Sequence, residues 1–273
     1  MPVFDVVAVA VMGGLAGVLG ALLGLGGGVF LVPFLVIVQG LPFQQAAGIS
    51  LMTVIATSSA VSARSTGRQL INLRLGMVLE VATTAGGLFG GLTAQTLSHR
   101  TLTALFAIVT ALIALVMLSR LDKRNVILAG DVDPGRLGGR FHDPESGREI
   151  VYQVKRLPLG LFASFLAGNV SGLLGLGGGI LKVPALVSWC GVPMRAAAAT
   201  SALMIGVTAV ATAPIYYAHG EILPPLAAAA VLGVLGGSNA GLRLGQRLHV
   251  KHLKAMMVGV LAVVSLMMFL RLR

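Results

Sequence analysis

The stretch that decides the fold is a glycine run within residues 22–33, which read LLGLGGGVFLVP. The run returns 151 residues later, within residues 173–184, as LLGLGGGILKVP. The same offset aligns residues 22–62 with residues 173–213 without a gap, and 18 of these 41 positions are identical. This identity exceeds what shared apolar composition produces. It predicts two repeats of one structural unit, each interrupted by glycines between apolar helices.

The composition is that of an integral membrane protein. Hydrophobic residues make up 56% of the 273 residues and charged residues only 11%, and the mean hydropathy is +0.93. A soluble domain carries about 25% charged residues, so this chain cannot cover a water-facing surface. The net charge of +11 would suggest nucleic acid for a soluble protein, but cytoplasmic loops of membrane proteins collect Lys and Arg. We therefore expect the lipid bilayer as a partner, and no nucleic acid.

Eight apolar stretches divide the chain, and most are close to the ~20 residues that cross a bilayer as a helix. They lack the alternating polarity of a membrane β-barrel. The first lacks the basic flank and cleavage site of a signal peptide, so we expect it to be retained. With the short pieces after each glycine run, they predict ten helical segments, five per half. The stretches are Val3–Leu23, Ala46–Ala63, Leu75–Leu97, Thr101–Leu118, Leu157–Leu174, Ala196–Ala218, Leu226–Leu242 and Ala255–Leu270.

These features predict an all-α polytopic membrane protein with glycine-broken helices. We assign residues 1–121 to the first transmembrane repeat, 122–156 to a connector and 157–273 to the second transmembrane repeat. The connector holds six of the nine carboxylates and alternates in polarity over Glu149–Val154, which predicts a short β-hairpin. Its charge predicts a cytoplasmic position.

Basic residues alternate between equivalent connectors of the two halves. Residues 64–74 include three arginines, whereas their counterpart around residues 219–221 has no Lys or Arg. The next connector has only Arg100 in the first half but four Lys and Arg residues over 243–254 in the second. Equivalent connectors should therefore lie on opposite sides of the membrane, which predicts inverted-topology repeats. The two arginines within residues 271–273 run against this scheme.

A helix that begins after a glycine run presents unpaired N–H groups and its positive dipole end, which together form an anion site built from backbone. We therefore predict that the anion binds at the residues that end each run: Gly26, Gly27, Gly28, Gly177, Gly178 and Gly179. The structural break itself is assigned to Gly24, Pro33, Gly175 and Pro184.

Glycine runs also occur in nucleotide-binding loops and at close helix contacts. A dinucleotide fingerprint needs a third glycine where Val29 stands, and no Gly-Lys-Ser/Thr ending forms a phosphate loop. Close helix packing stays an alternative for the duplicated runs, since glycines four residues apart permit it. We assign the remaining glycine spacings to packing: Gly13/Gly17, Gly20/Gly24 and Gly233/Gly237/Gly241/Gly245.

Polar side chains near the breaks are further candidate ligands: Ser50, Thr57, Lys182, Thr200 and Ser201. Lys182 replaces a leucine of the first repeat. A lysine in an apolar segment either faces a cavity, where it attracts the anion, or snorkels to the membrane surface. The hydroxyls either donate to anion oxygens or bond their own helix carbonyls.

The remaining chemistry of the chain is sparse. We expect Glu80 at the membrane interface rather than in a proton relay. The five histidines show no metal spacing, and Cys190 is the only cysteine, which excludes an intramolecular disulfide. No cofactor and no metal are expected.

The chain resembles the TauE/SafE family of sulfite and organosulfonate exporters over almost its entire length. The resemblance rests on the duplicated GLGGG-x3-VP motif, on the pattern G-x-P-x2-AA-x2-TS at residues 191–201, and on Gly220-Glu221-Ile222. It implies an α-helical inner-membrane transporter for sulfite, sulfoacetate or related anions. The family's glycine and proline motif falls on Gly24, Gly26, Gly27, Gly28 and Pro33, and on Gly175, Gly177, Gly178, Gly179 and Pro184.

The predicted function is secondary transport, and specifically export, of small sulfur-containing anions across the cell inner membrane by a protein that is not an enzyme. An anion channel and an importer of another small anion remain alternatives. A membrane-embedded enzyme is the alternative of a different class, but the apolar spans contain no Ser/His/Asp set, metal cluster or paired carboxylates. Assembly into an oligomer of identical chains is left open.

Overall fold

A computed structural model describes residues 3–23, 26–66, 70–118, 133–142, 149–245 and 250–271. Within these residues, five helices precede a two-stranded sheet and five follow it. The first half contains α1 (Val3–Leu23), α2 (Gly28–Ile37), α3 (Phe43–Thr66), α4 (Leu73–Thr96) and α5 (His99–Leu118). Strands β1 (Gly139–His142) and β2 (Glu149–Tyr152) follow. The second half contains α6 (Leu157–Leu174), α7 (Gly179–Ser188), α8 (Met194–Ala218), α9 (Pro224–Gly245) and α10 (Val250–Arg271).

Long apolar helices and an apolar exterior make this a multi-pass membrane protein. Among the described residues, six helices are long and apolar enough to cross a bilayer, namely α1, α3, α4, α6, α8 and α9. Large apolar side chains on the outside, such as Phe4, Val81 and Leu232, are 80%, 75% and 71% exposed. Water would not solvate such a surface, whereas hydrocarbon does. The predicted all-α polytopic fold is confirmed.

The two halves have equivalent helices and equivalent packing. The first helix of each half packs mainly on a helix of the other half: α1 packs on α9, and α6 packs on α4. The helices α3 and α8 cross at the centre, where 67% and 72% of their spans are buried, against 39–50% for the other four spans. The main helix contacts are therefore the same when the two halves exchange places.

Glycines bring the exchanged helices into backbone contact. A Cβ added at Gly17 would lie 2.5 Å from the Val234 carbonyl oxygen, and one added at Gly237 would overlap the Gly14 carbonyl. On the other side, an added Cβ at Gly168 would overlap the Thr83 carbonyl. Only glycine permits such an approach, as is usual at membrane helix interfaces. Packing explains most of the glycines that we assigned to it.

Gly20 differs from the other packing glycines. A Cβ there would meet the backbone of Gly26 and Gly27, so Gly20 supports the first glycine run rather than another long helix. Gly24 lies outside the described residues.

The strands β1 and β2 pair antiparallel, with Phe141 opposite Ile150. Both side chains, with that of Tyr152, belong to one buried apolar cluster with Leu75 on α4 and Val192 after α7. The hairpin thereby covers one end of the α4–α7–α8 region.

Candidate functional site

The two glycine runs form the same backbone turn. Gly26 and Gly27 have φ angles of +80° and +79°, and their repeat partners Gly177 and Gly178 have +78° and +67°. These left-handed conformations strain any residue that carries a Cβ. Gly27 and Gly178 then serve as the N-caps of α2 and α7.

The two breaks lie side by side. A Cβ added at Gly28 would lie 2.5 Å from the Gly175 carbonyl oxygen and would overlap the Ser50 hydroxyl. The Ser50 hydroxyl itself donates to the Gly175 carbonyl at 2.6 Å, although the two residues are 125 apart in sequence. The start of α2 and the end of α6 therefore share one buried location.

The first N–H groups of each short helix have no acceptor among the described residues. In the first, Phe30 and Leu31 donate to the Gly27 carbonyl, while the N–H groups of Gly28 and Val29 have no acceptor among the described residues. The second repeats this arrangement, because Leu181 and Lys182 donate to the Gly178 carbonyl. Both helices are ten residues long, or about 15 Å, which is half a bilayer.

Side chains of α3, α6 and α8 enclose the breaks. A Cβ at Gly26 would meet Val54 on α3 and Ile205 on α8, and one at Gly178 would meet Ser171 on α6. The hydroxyls of Ser171 and Ser201 are fully buried, and neither has a hydrogen-bond partner within the described part of the chain. Buried hydroxyls normally find partners, so these two are free to bind a polar ligand.

Lys182 lies one turn into α7, and its side chain is 1% exposed. It does not reach the protein surface, so the snorkelling alternative is wrong. Its Nζ lies 3.6 Å from Oε2 of Glu80 on α4, and neither atom makes a hydrogen bond to a described residue. A buried ammonium is costly without a counter-charge, and Glu80 supplies it.

Glu80 was not expected beside Lys182. We expected it at the membrane interface, whereas the structure holds it between helices. Its Oε1 accepts hydrogen bonds from Thr208 on α8 at 2.7 Å and from Thr84 at 3.1 Å. The sequence does contain a signal for this position, because a lysine buried in an apolar segment needs an acid, and only two carboxylates, Glu80 and Glu221, lie near the mid-chain spans.

Like Ser50, two other predicted hydroxyl ligands have partners within the protein. Thr57 donates to the Thr53 carbonyl of its own helix at 2.8 Å. Thr200 accepts from the backbone N–H of Asn72 at 2.9 Å. The side chain of Asn72 also caps α4 and donates to the Leu137 carbonyl before the hairpin. Thr200 thus belongs to a contact that joins α8, α4 and the connector.

The prolines are not part of the break. Pro33 and Pro184 lie inside α2 and α7, which continue to Ile37 and Ser188. Each proline removes one N–H donor but does not end its helix, because the left-handed glycines have already turned the chain.

The fold and the site together define a polytopic α-helical membrane protein of the transporter class. It has long apolar helices, a lipid-type exterior and two glycine breaks that meet inside the protein. The chain belongs to the TauE/SafE family, because the family model described as "Sulfite exporter TauE/SafE" matches residues 9–268.

Relatives from bacteria and an archaeon match the chain over nearly its whole length. The chain is 25% identical to "Probable membrane transporter protein YunE" of Bacillus subtilis over 266 residues, covering 95% of each chain. It is 26% identical to "Probable membrane transporter protein MJ0441" of Methanocaldococcus jannaschii over 275 residues, covering 95% of this chain and 94% of that protein. A "Probable membrane transporter protein" of Xylella fastidiosa is 27% identical over 254 residues, covering 92% and 89%. No solved structure matches the chain.

Proposed function

We propose that this protein is a secondary transporter that exports small sulfur-containing anions, such as sulfite or sulfoacetate, across the cell inner membrane. The family description supports the substrate class and the direction of transport. The observation that carries the proposal is the contact of Gly28, at the start of α2, with Gly175, before the second glycine run, together with N–H groups at the starts of α2 and α7 that have no described acceptor. A helix N-terminus at a buried glycine break attracts an anion by its dipole and its donors.

The side chains at the breaks fit an oxyanion with several acceptor oxygens. The buried hydroxyls of Ser171 and Ser201 have no partner among the described residues, and Lys182 provides the positive charge. A sulfonate or sulfite offers three oxygens, which can accept from hydroxyl, ammonium and backbone donors together. In our proposal the anion therefore lies between the two breaks, with Lys182 on the side of α7.

Binding and transport assays test the substrate. We expect purified protein to bind sulfite, thiosulfate or sulfoacetate in calorimetry more tightly than sulfate or small carboxylates. Proteoliposomes should accumulate the same anion against its gradient. Accumulation against a gradient would contradict the channel alternative, and a preference for carboxylates would contradict the sulfur-anion proposal.

Cysteine labelling tests the inverted topology, which we retain as part of the proposal. Single cysteines at Ser65, in the last turn of α3, and at Ser98, before α5, should react with a membrane-impermeant reagent from opposite sides. The native Cys190 is fully buried, so its background should be low. Labelling of both positions from the same side would contradict the inverted repeats.

A further inference from the structure

The ion pair between Lys182 and Glu80 lacks a direct hydrogen bond. Glu80 is the one charged group within 4 Å of Lys182 Nζ among the described residues. The separation of 3.6 Å is too long for a hydrogen bond, so all three N–H donors of the ammonium stay available. A pair kept for stability alone would be expected to close with direct hydrogen bonds, since these offset the desolvation of both charges.

The threonines around Glu80 allow the carboxyl group to lose its charge in place. Thr208 has one hydroxyl proton and two acceptors in reach, Oε1 of Glu80 at 2.7 Å and the Met204 carbonyl at 3.0 Å. If Glu80 takes up a proton, Thr208 can donate to Met204 instead and accept from the new carboxyl O–H. No donor is then left without a partner, so protonation does not require the helices to move.

No other charged group competes for this place in the described structure. The helix α6, which packs on both α4 and α7, carries no charged residue. The other charged side chains on helices that contact α4 or α7 lie in the first turns: Arg74 on α4, His99 and Arg100 on α5, and Arg195 on α8. Tyr216 on α8 donates to the Gly172 carbonyl. The charge balance at Lys182 therefore depends on Glu80.

We propose that Glu80 is an exchangeable counter-ion for Lys182, so that anion binding at Lys182 is coupled to the uptake of about one proton by Glu80. This inference rests on the proposed anion transport and specifies how it is coupled. Glu80 takes its proton from water, and the anion replaces the lost negative charge beside the ammonium. No covalent bond forms or breaks in the anion. One negative charge of the anion replaces the charge that Glu80 loses beside the ammonium, and the second charge of a dianion faces the N–H groups at the breaks.

Calorimetry in buffers of different ionisation enthalpy measures the protons taken up when the anion binds. Sulfoacetate and thiosulfate are suitable probes because neither titrates between about pH 6 and pH 8. We expect about one proton per bound anion for the native protein, and an affinity that weakens up to tenfold for each unit of pH increase. Glu80→Gln should bind the anion without proton uptake and without this pH dependence. Lys182→Met should weaken binding by more than tenfold.

Glu221→Gln is the matched control, because Glu221 is the other carboxylate near the mid-chain spans. It lies in the loop between α8 and α9, where burial raises its pKa. This variant should keep the proton uptake of the native protein. Binding of sulfoacetate or thiosulfate by the native protein without proton uptake would overturn the inference and leave anion transport standing. Proton uptake that persists in Glu80→Gln would overturn it as well.

Proton uptake by the native protein is measured without any variant. The inference can therefore be tested even if Glu80→Gln folds poorly. If the native protein binds none of the anions in the panel, the proposed function fails and the coupling fails with it.

Discussion

The starts of α2 and α7 have the same backbone conformation, but they differ in the charged side chains that lie beside them. Both follow left-handed glycines, both are ten residues long, and both leave first-turn N–H groups without described acceptors. At α7 the chain places Lys182, which pairs with Glu80. The repeat positions are Leu31 and Val231, so the α2 side is apolar.

This difference separates two tasks. The duplicated backbone supplies the symmetric part, which is a sharp turn and a set of donors at each break. The side chains add a single titratable pair on one side. Even the repeat-equivalent threonines have different hydrogen-bond partners. Thr208 donates to Glu80, whereas Thr57 donates to a carbonyl of its own helix. In our proposal both halves bind the anion, but only the half with Lys182 couples its binding to a change of charge.

Valine at either break should have the largest effect, and an equal one in both halves. An added Cβ at Gly27 lies 2.9 Å from the Ala16 carbonyl oxygen, and one at Gly178 lies 2.8 Å from the Ala167 carbonyl oxygen. Positive φ adds strain of about 1–3 kcal/mol. We expect Gly27→Val and Gly178→Val each to abolish transport and anion binding, measured by calorimetry per folded molecule.

Gly40→Ala is the control for strain alone, because Gly40 has a φ of +66° and open space around its Cβ position. It should lower stability slightly and leave affinity unchanged. If Gly178→Val kept the parental affinity, the anion would not bind at the break, and the duplicated glycines would serve packing only.

A lysine placed on the apolar side should be the next most harmful change. Leu31 is fully buried, and Leu31→Lys would leave an uncompensated charge that lowers the free energy of unfolding by about 3–5 kcal/mol. Adding Val231→Glu should recover part of the loss, because it recreates the pair at the repeat position. Thermal unfolding of the single and double variants checks this. Absence of any recovery would show that the two halves do not place these positions alike.

Gly237→Ala should reduce stability without touching the site. An added Cβ at Gly237 overlaps the Gly14 carbonyl, whereas the neighbouring Gly236 faces open space. We expect Gly237→Ala to cost about 1–3 kcal/mol of stability, and Gly236→Ala to cost little. Both should bind the anion with native affinity once folded. A large loss of affinity in Gly237→Ala would contradict this prediction, because it would show that the contact between α1 and α9 affects the breaks.

The smallest effects are expected for Ser50 and Ser201, which are equivalent in the two repeats. One change should affect stability and the other anion affinity. Ser50→Ala leaves the buried Gly175 carbonyl without its donor, which should cost about 1–3 kcal/mol of stability. Ser201 has no partner among the described residues, so Ser201→Ala should barely change stability but should weaken anion binding a few-fold. Unfolding curves and calorimetry on the same samples separate the two outcomes. Equal behaviour of the two variants would contradict the asymmetry.

Local features of the sequence were sufficient for the architecture of this protein. Apolar length predicted the long helices, and the glycine runs predicted where the short helices begin, because the conformational freedom of glycine and the length of an apolar stretch are properties of a few neighbouring residues. The identity between residues 22–62 and 173–213 predicted the equivalence of the halves. The prolines were assigned wrongly, since a proline in an apolar stretch does not reveal whether the helix has already turned before it.

The tertiary structure alone decided which side chains meet. Glu80 pairs with Lys182, Ser50 reaches Gly175, and Asn72 joins Thr200 to the connector only because α4, α6, α7 and α8 are packed together. Such contacts depend on which helices are adjacent and on how they are rotated, and residues far apart in the chain set both. Local composition therefore determined where the chain breaks, and packing determined what charge lies beside the break.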